Sequence, residues 1–183
     1  PSEAISFLES VGFAVEGKQQ EKFELTITAT HISSTDERFT MEDLNLGDNY
    51  KPLNAYFEKA NGDIIKRAYN KGEKRNSNQT MPRIACQIFE KQLAALSVED
   101  KESFPVCKYS PNSDMIRGIY TSVDEYKKHR NSLEYLTYSY DNGRQFVIYS
   151  WNIFSTIIFV QECLKRFGEP GDQFVLIYRE KDE

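Results

Sequence analysis

LEYLTYSYDNGRQFVIYS, residues Leu133–Ser150, decides how this chain folds. Leu133 to Tyr140 and Arg144 to Ser150 are rich in aromatic and β-branched residues. Between them Asp141-Asn142-Gly143 supplies residues that accept positive φ, the backbone state a tight hairpin requires. Two strands joined this way must be antiparallel, so the sheet is at least in part antiparallel. The same logic applies to Tyr56-Phe57-Glu58-Lys59 and Ile64-Ile65-Lys66-Arg67, which flank Ala60-Asn61-Gly62-Asp63. From Lys22 to Ile32, Phe23, Leu25, Ile27 and Ala29 alternate with Glu24, Thr26, Thr28 and Thr30, the period of two of a strand with one buried face. Gln173 to Arg179 is a near-continuous apolar run after Gly171-Asp172 and reads as a strand buried on both faces.

Helices surround these strands. Thr80 to Leu96 has a core-facing stripe of Ile84, Ala85, Ile88, Phe89, Leu93 and Leu96, with Thr80 as cap and Pro82 tolerated in the first turn. Asn152 to Phe167 is apolar around most of its circumference and predicts a central buried helix, ended by Gly168 and Pro170. Ser122 caps a short charged helix, Val123 to Asn131, and Ser2 a short one through Glu9, with Gly12 beyond it. Ser33 to Tyr50 reads as a polar connection with one helical turn, Met41 to Leu46. Ser97 to Pro111 reads as loop with a short strand around Val106 to Tyr109, and Ile116 to Thr121 as a further strand. The expectation is an α+β fold: a mostly antiparallel sheet, curled or barrel-like, packed against two main helices.

At 183 residues the chain fits a single globular domain over 1–183. Aromatic content of 13% argues against disorder. Cys86, Cys107 and Cys163 are odd in number and lack CxxC spacing, so neither a disulfide framework nor a zinc knuckle is indicated, and reduced thiols in a cytoplasmic setting are expected. The Asn78-Gln79-Thr80 sequon reads as incidental, and Pro1 to Ser10 has no basic or apolar leader pattern. The longest apolar run, Ile157 to Val160, is too short to cross a membrane.

Charge points to one segment. The chain carries a net charge of −5, yet Asp63 to Arg83 holds six basic side chains against Asp63 and Glu73, a local +4. Such an inversion attracts anions even to an acidic molecule. Lys66, Arg67, Lys71, Lys74, Arg75 and Arg83 can neutralise phosphates, Asn76, Asn78 and Gln79 can read base edges, and Tyr69 can stack on a base. These ten residues are the candidate site of a non-enzymatic nucleic-acid-binding module for DNA or RNA, as part of a larger defence or processing protein. A solvated connection between a hairpin and a helix has the same composition. The alternative is a protein-interaction domain, its loop meeting an acidic partner or its tyrosines an apolar one.

A metal-dependent nuclease is the second alternative, through Asp114 with Glu125-Tyr126-Lys127. Its weakness is that Glu125 and Lys127 fall in an expected helix, where positions two apart face different sides. His31 and His129 are the only histidines, Cys107 is a nucleophile only if its pKa is depressed, and no phosphate loop, GxGxxG or HExxH is present, so no cofactor is indicated. Lys127-Lys128-His129-Arg130 and Lys165-Arg166 sit where helix dipoles favour cations. Tyr135, Tyr138, Tyr140 and Tyr149 read first as cross-strand packing and second as a stacking surface.

Overall fold

A computed structural model describes residues 22–28, 50–73, 79–110, 112–152 and 154–181. The expected helix from Ser2 to Glu9, the end of the first strand beyond Thr28, the connection with Met41 to Leu46, and His31 lie outside the described residues. In chain order the elements are β1 (Lys22–Thr28), β2 (Tyr50–Glu58), β3 (Ile64–Ile65), α1 (Thr80–Ile88), α2 (Glu90–Ala95), α3 (Val98–Ser103) and β4 (Pro105–Cys107). There follow β5 (Ile116–Arg117), β6 (Ile119–Tyr120), α4 (Val123–His129), β7 (Tyr135–Tyr140), β8 (Arg144–Tyr149), α5 (Ile157–Phe167) and β9 (Gln173–Glu180).

The fold is α+β and every strand pair among the described residues is antiparallel. Instead of one sheet there are three among the described residues, ordered β1-β9-β2-β3, β4-β5 and β6-β8-β7, and none closes into a barrel. The two expected hairpins therefore belong to different sheets. β9 lies between β1 and β2, with Leu25 opposite Leu176 on one side and Ala55 opposite Leu176 on the other. Phe174, Val175 and Leu176 are buried there, as their run predicts. Ile27 is buried in β1 while Glu24 and Thr26 are exposed, which is the alternation read from the sequence.

β2 begins at Tyr50, well before the expected Tyr56, because β9 is long enough to pair with Tyr50 through Pro52. A proline argues against a strand since it donates no ladder hydrogen bond, and here the register shifts between Pro52 and Asn54. Gly62 turns the first hairpin at φ 91, and the Asn61 side chain accepts from Asp63 N at 3.0 Å. Asp141, Asn142 and Gly143 all take positive φ in the second, as expected.

The 80–96 segment is two helices, not one. The break falls at Phe89, whose ring packs against Phe57, Phe167 and Phe174 with centroids 5.8 to 6.4 Å apart. Burying each such ring contributes about 1.5–3 kcal/mol, enough to outweigh the loss of regularity at one residue. Thr80 is the first residue of α1 and not its cap. Residues 98–103, expected as loop, form α3: Ser97 Oγ accepts from Asp100 N at 3.0 Å. The 116–121 strand is divided at Gly118, φ 124, which hands the chain from one sheet to another. α5 starts at Ile157, because Asn152 and Ser155 close a turn first: Ser155 N donates to Asn152 Oδ1 at 2.8 Å. Ile157, Phe159, Val160, Cys163 and Leu164 are buried, so α5 is the central buried helix.

Candidate functional site

The chain leaves β3 at Lys66 and is pinned at once to α1. Gln87 does this with one amide: its Oε1 accepts from Ala68 N at 2.8 Å and its Nε2 donates to Lys66 O at 3.3 Å. Arg67, held between those two points, turns inward and is 7% exposed. Its Nη2 donates to Glu73 Oε1, and Glu73 Oε2 accepts from Asn70 N at 3.0 Å. A turn over Asn70–Glu73 with Gly72 at φ 80 brings that carboxylate back.

A second guanidinium meets the same carboxylate. α1 buries Met81, Ile84 and Ala85, so its other side presents Arg83 and Gln87, four residues apart. Arg83 Nη1 lies 3.7 Å from Glu73 Oε1 and donates to Thr137 O at 2.6 Å, while Nη2 donates to Gln79 Oε1 at 3.0 Å. Burial pushes Glu73 up, but the Asn70 amide, Arg67 and Arg83 more than offset this and hold it below its ordinary value. Burial first, and then the Arg67 charge, lower the pKa of Arg83. Two guanidinium groups thus share one carboxylate beside a cavity of about 240 Å³ lined by Asn70, Glu73, Arg83, Gln87, Thr137 and Ser139, among others.

No protein-family model, curated protein sequence or solved structure matches this chain. The geometry alone carries the reading of the site.

Of the ten candidate residues, Lys66, Tyr69 and Lys71 are exposed and Arg67 is buried. Gln79 and Arg83 are half-buried and bonded to each other. Lys74, Arg75, Asn76 and Asn78 lie outside the described residues. Tyr69 is 42% exposed, and the Arg67 guanidinium carbon sits 4.2 Å from its ring centroid. The cation held inside the fold therefore packs on an aromatic ring that is partly exposed.

Glu73, Gln87, Thr137 and Ser139 were not among the candidates. Gln79, Arg83 and Gln87 recur at four-residue spacing from the cap residue along a helix whose other side is apolar, which is a signal in the sequence. Nothing comparable announces Thr137, fifty-four positions from Arg83.

The other candidate chemistries are located as follows. Glu125 and Lys127 are in α4, with the Glu125 carboxylate accepting from Lys128 at 2.6 Å, and Asp114 is exposed and outside any helix or strand. Cys107 is fully buried in β4, and burial pushes its thiol up to about 11, away from nucleophilic character, against smaller lowering by the Ser155 and Trp151 hydrogen bonds. Of the hairpin tyrosines, Tyr138 and Tyr140 pack on Phe146 at 6.1 and 4.4 Å, Tyr135 on Tyr126 at 5.0 Å, and Tyr138 OH donates to Glu90 at 2.8 Å. Tyr149 donates to Glu134 Oε2 at 2.6 Å; having one proton, it accepts from Tyr109 OH. Arg166 donates to Glu162 and lies over the Phe104 ring at 4.6 Å. No helix among the described residues is long and apolar enough to cross a membrane.

Proposed function

We propose that this chain binds nucleic acid without reacting with it, through the face formed by Lys66, Tyr69, Asn70 and Lys71. One observation carries the reading: an exposed Tyr69 ring backed at 4.2 Å by the buried Arg67 guanidinium, with exposed cations before and after it in the chain. A base stacks on such a ring whatever its identity, and Lys66 and Lys71 neutralise the adjoining phosphates. Lys74, Arg75, Asn76 and Asn78 continue the same segment in the sequence. Arg67 serves by holding Tyr69, and Arg83 by charging the cavity lined by Ala68 and Asn70, the chain neighbours of Tyr69. The net charge of −5 keeps affinity local and moderate.

The test is fluorescence anisotropy with labelled single-stranded DNA, single-stranded RNA and duplex DNA at about 50 mM and about 200 mM salt. Tyr69→Ala should weaken single-strand binding by about 1–3 kcal/mol, and Tyr69→Phe should leave it nearly intact. Lys66→Glu with Lys71→Glu should flatten the salt dependence. Binding that ignores Tyr69→Ala, or no binding at the lower salt, removes the reading.

A second reading, contact with another protein, is favoured by a different surface. Leu133 is 84% exposed, Trp151 40% and Tyr109 38%. Ser150 N donates to Glu134 O, extending the β7–β8 ladder, so Leu133 and Trp151 end the same hairpin; Tyr109 packs on Trp151 at 5.6 Å. Failure of all three nucleic acids, together with self-association that Trp151→Ala abolishes in sedimentation, would favour it.

A further inference from the structure

We propose that the cavity between α1, the Asn70–Glu73 turn and the open edge of β7 binds a phosphate group. The proposal rests on the nucleic-acid reading for the source of that phosphate and on the cavity alone for its chemistry.

Arg83 brings a positive charge to the cavity wall, and the carboxylate it meets among the described residues, Glu73 at 3.7 Å, is also bonded by Arg67. Arg83 is also incompletely satisfied: its Nε is buried with no hydrogen-bond acceptor among the described residues. A guanidinium that is partly out of water, close to another and with only a share in one carboxylate, favours an added anion over none.

β7 supplies neutral donors. It is the edge strand of its sheet, with β8 on one side and no strand on the other among the described residues. Ser150 N bonds to Glu134 O, and 134, 136 and 138 therefore turn their backbone groups toward β8, while 137 and 139 turn theirs away. Arg83 taking the Thr137 carbonyl from that open side fits this alternation. The N–H groups of Thr137 and Ser139 consequently point the same way, toward the residues that line the cavity. An edge N–H beside an arginine is a combination suited to an oxyanion.

Size admits a phosphate. A cavity of about 240 Å³ is smaller than the roughly 300 Å³ at which pockets for drug-sized ligands begin. It has room for one phosphate and its water, with the remainder of a larger ligand left outside. Tyr69 lies two residues from Arg67 and one from Asn70, so a strand stacked on its ring has a phosphate close to the opening.

The experiment compares the whole chain with its Arg83→Gln variant in thermal unfolding, with inorganic phosphate added against chloride at equal ionic strength. Anisotropy is measured on one oligonucleotide with and without a 5′-phosphate. Phosphate should raise the wild-type Tm with a logarithmic concentration dependence. Arg83→Gln should weaken phosphate binding about tenfold or more, the scale of one charge-assisted hydrogen bond. Arg83→Lys, which keeps the charge and removes the fork, should lie between, and it serves if the glutamine variant does not fold.

Tighter binding of the phosphorylated oligonucleotide, lost on substitution at Arg83, identifies a strand end as the source. Equal binding of both, lost in the same way, identifies an internal phosphodiester. A phosphate effect that depends on Arg83 with no oligonucleotide binding supports the site and removes the nucleic-acid reading. Oligonucleotide binding untouched by Arg83 substitution, with no phosphate effect, overturns the site and leaves that reading standing.

Discussion

Glu73 is the residue on which the basic segment turns. Its carboxylate joins the turn that follows β3 to a cation inside the fold and another on α1. Removing it would take from both guanidinium groups the carboxylate they share, and one of them is almost fully buried. Charged hydrogen bonds contribute about 1.5–3 kcal/mol, and because Glu73 keeps 22% of its side chain exposed, Glu73→Gln should cost about 1–3 kcal/mol, read from the urea midpoint at neutral pH. The sign with pH follows from a folded pKa held below the ordinary 4.5. Its stabilisation is complete above the unfolded value and is lost as pH falls through the folded one. The gap between wild type and Glu73→Gln should therefore be full at pH 6 and shrink once pH drops below about 4.5. A gap that stays constant into acid would show that the carboxylate is not what holds the two arginines. The sequence displays Glu73 only as one of two acids in a basic run. Composition counts a charge, whereas its role depends on a turn that folds it back on Arg67.

At the scale of elements, short-range chemistry was legible and long-range competition was not. The turns Asn61-Gly62 and Asp141-Asn142-Gly143, the cap at Ser122 and the alternation around Ile27 all act within a few residues, and all appear where the sequence places them. The break at Phe89 and the early start of β2 depend on partners far along the chain, Phe174 and β9, which no local pattern contains. α3 is a different case, since Ser97 with Asp100 three residues later is a readable cap signal that the polar composition of the segment obscures. The two serine caps should behave differently when removed. Ser122→Ala loosens α4, which buries Tyr126, so its cost of about 1 kcal/mol should appear in global stability. α3 has no buried residue, so Ser97→Ala should instead speed hydrogen exchange over 98–103 while the denaturation midpoint moves by less. Equal midpoint shifts in the two variants would mean that α3 unfolds only with the rest of the molecule.

Across the described residues the strands divide among three sheets but the core does not, and the three cysteines allow that distinction to be measured. Cys86 is in α1, Cys107 in β4 and Cys163 in α5, all fully buried and unbonded to each other as disulfides. Burial raises Cys86 to about 12, Cys107 to about 11, and Cys163 well above its ordinary value. The thiolate is the reactive form, so a native molecule at pH 8 should barely react with an alkylating reagent. Reaction then has to wait for opening. Phe57, Phe89 and Phe174 tie the junction of α1 and α2 to the four-stranded sheet, and Phe104 on Phe159 ties α5 to the chain entering β4. Buried residues of all three sheets belong to one cluster. If that continuity makes one cooperative unit, the sites should label at a common rate that follows global unfolding as urea is added, resolved by mass spectrometry of the alkylated peptides. Cys107 labelling ahead of Cys86 and Cys163, with little dependence on urea, would show instead that the β4 region opens by itself. In that event β4 and β5 would open as a unit apart from the rest of the core, and the sheet that carries the β7 edge would not be part of it.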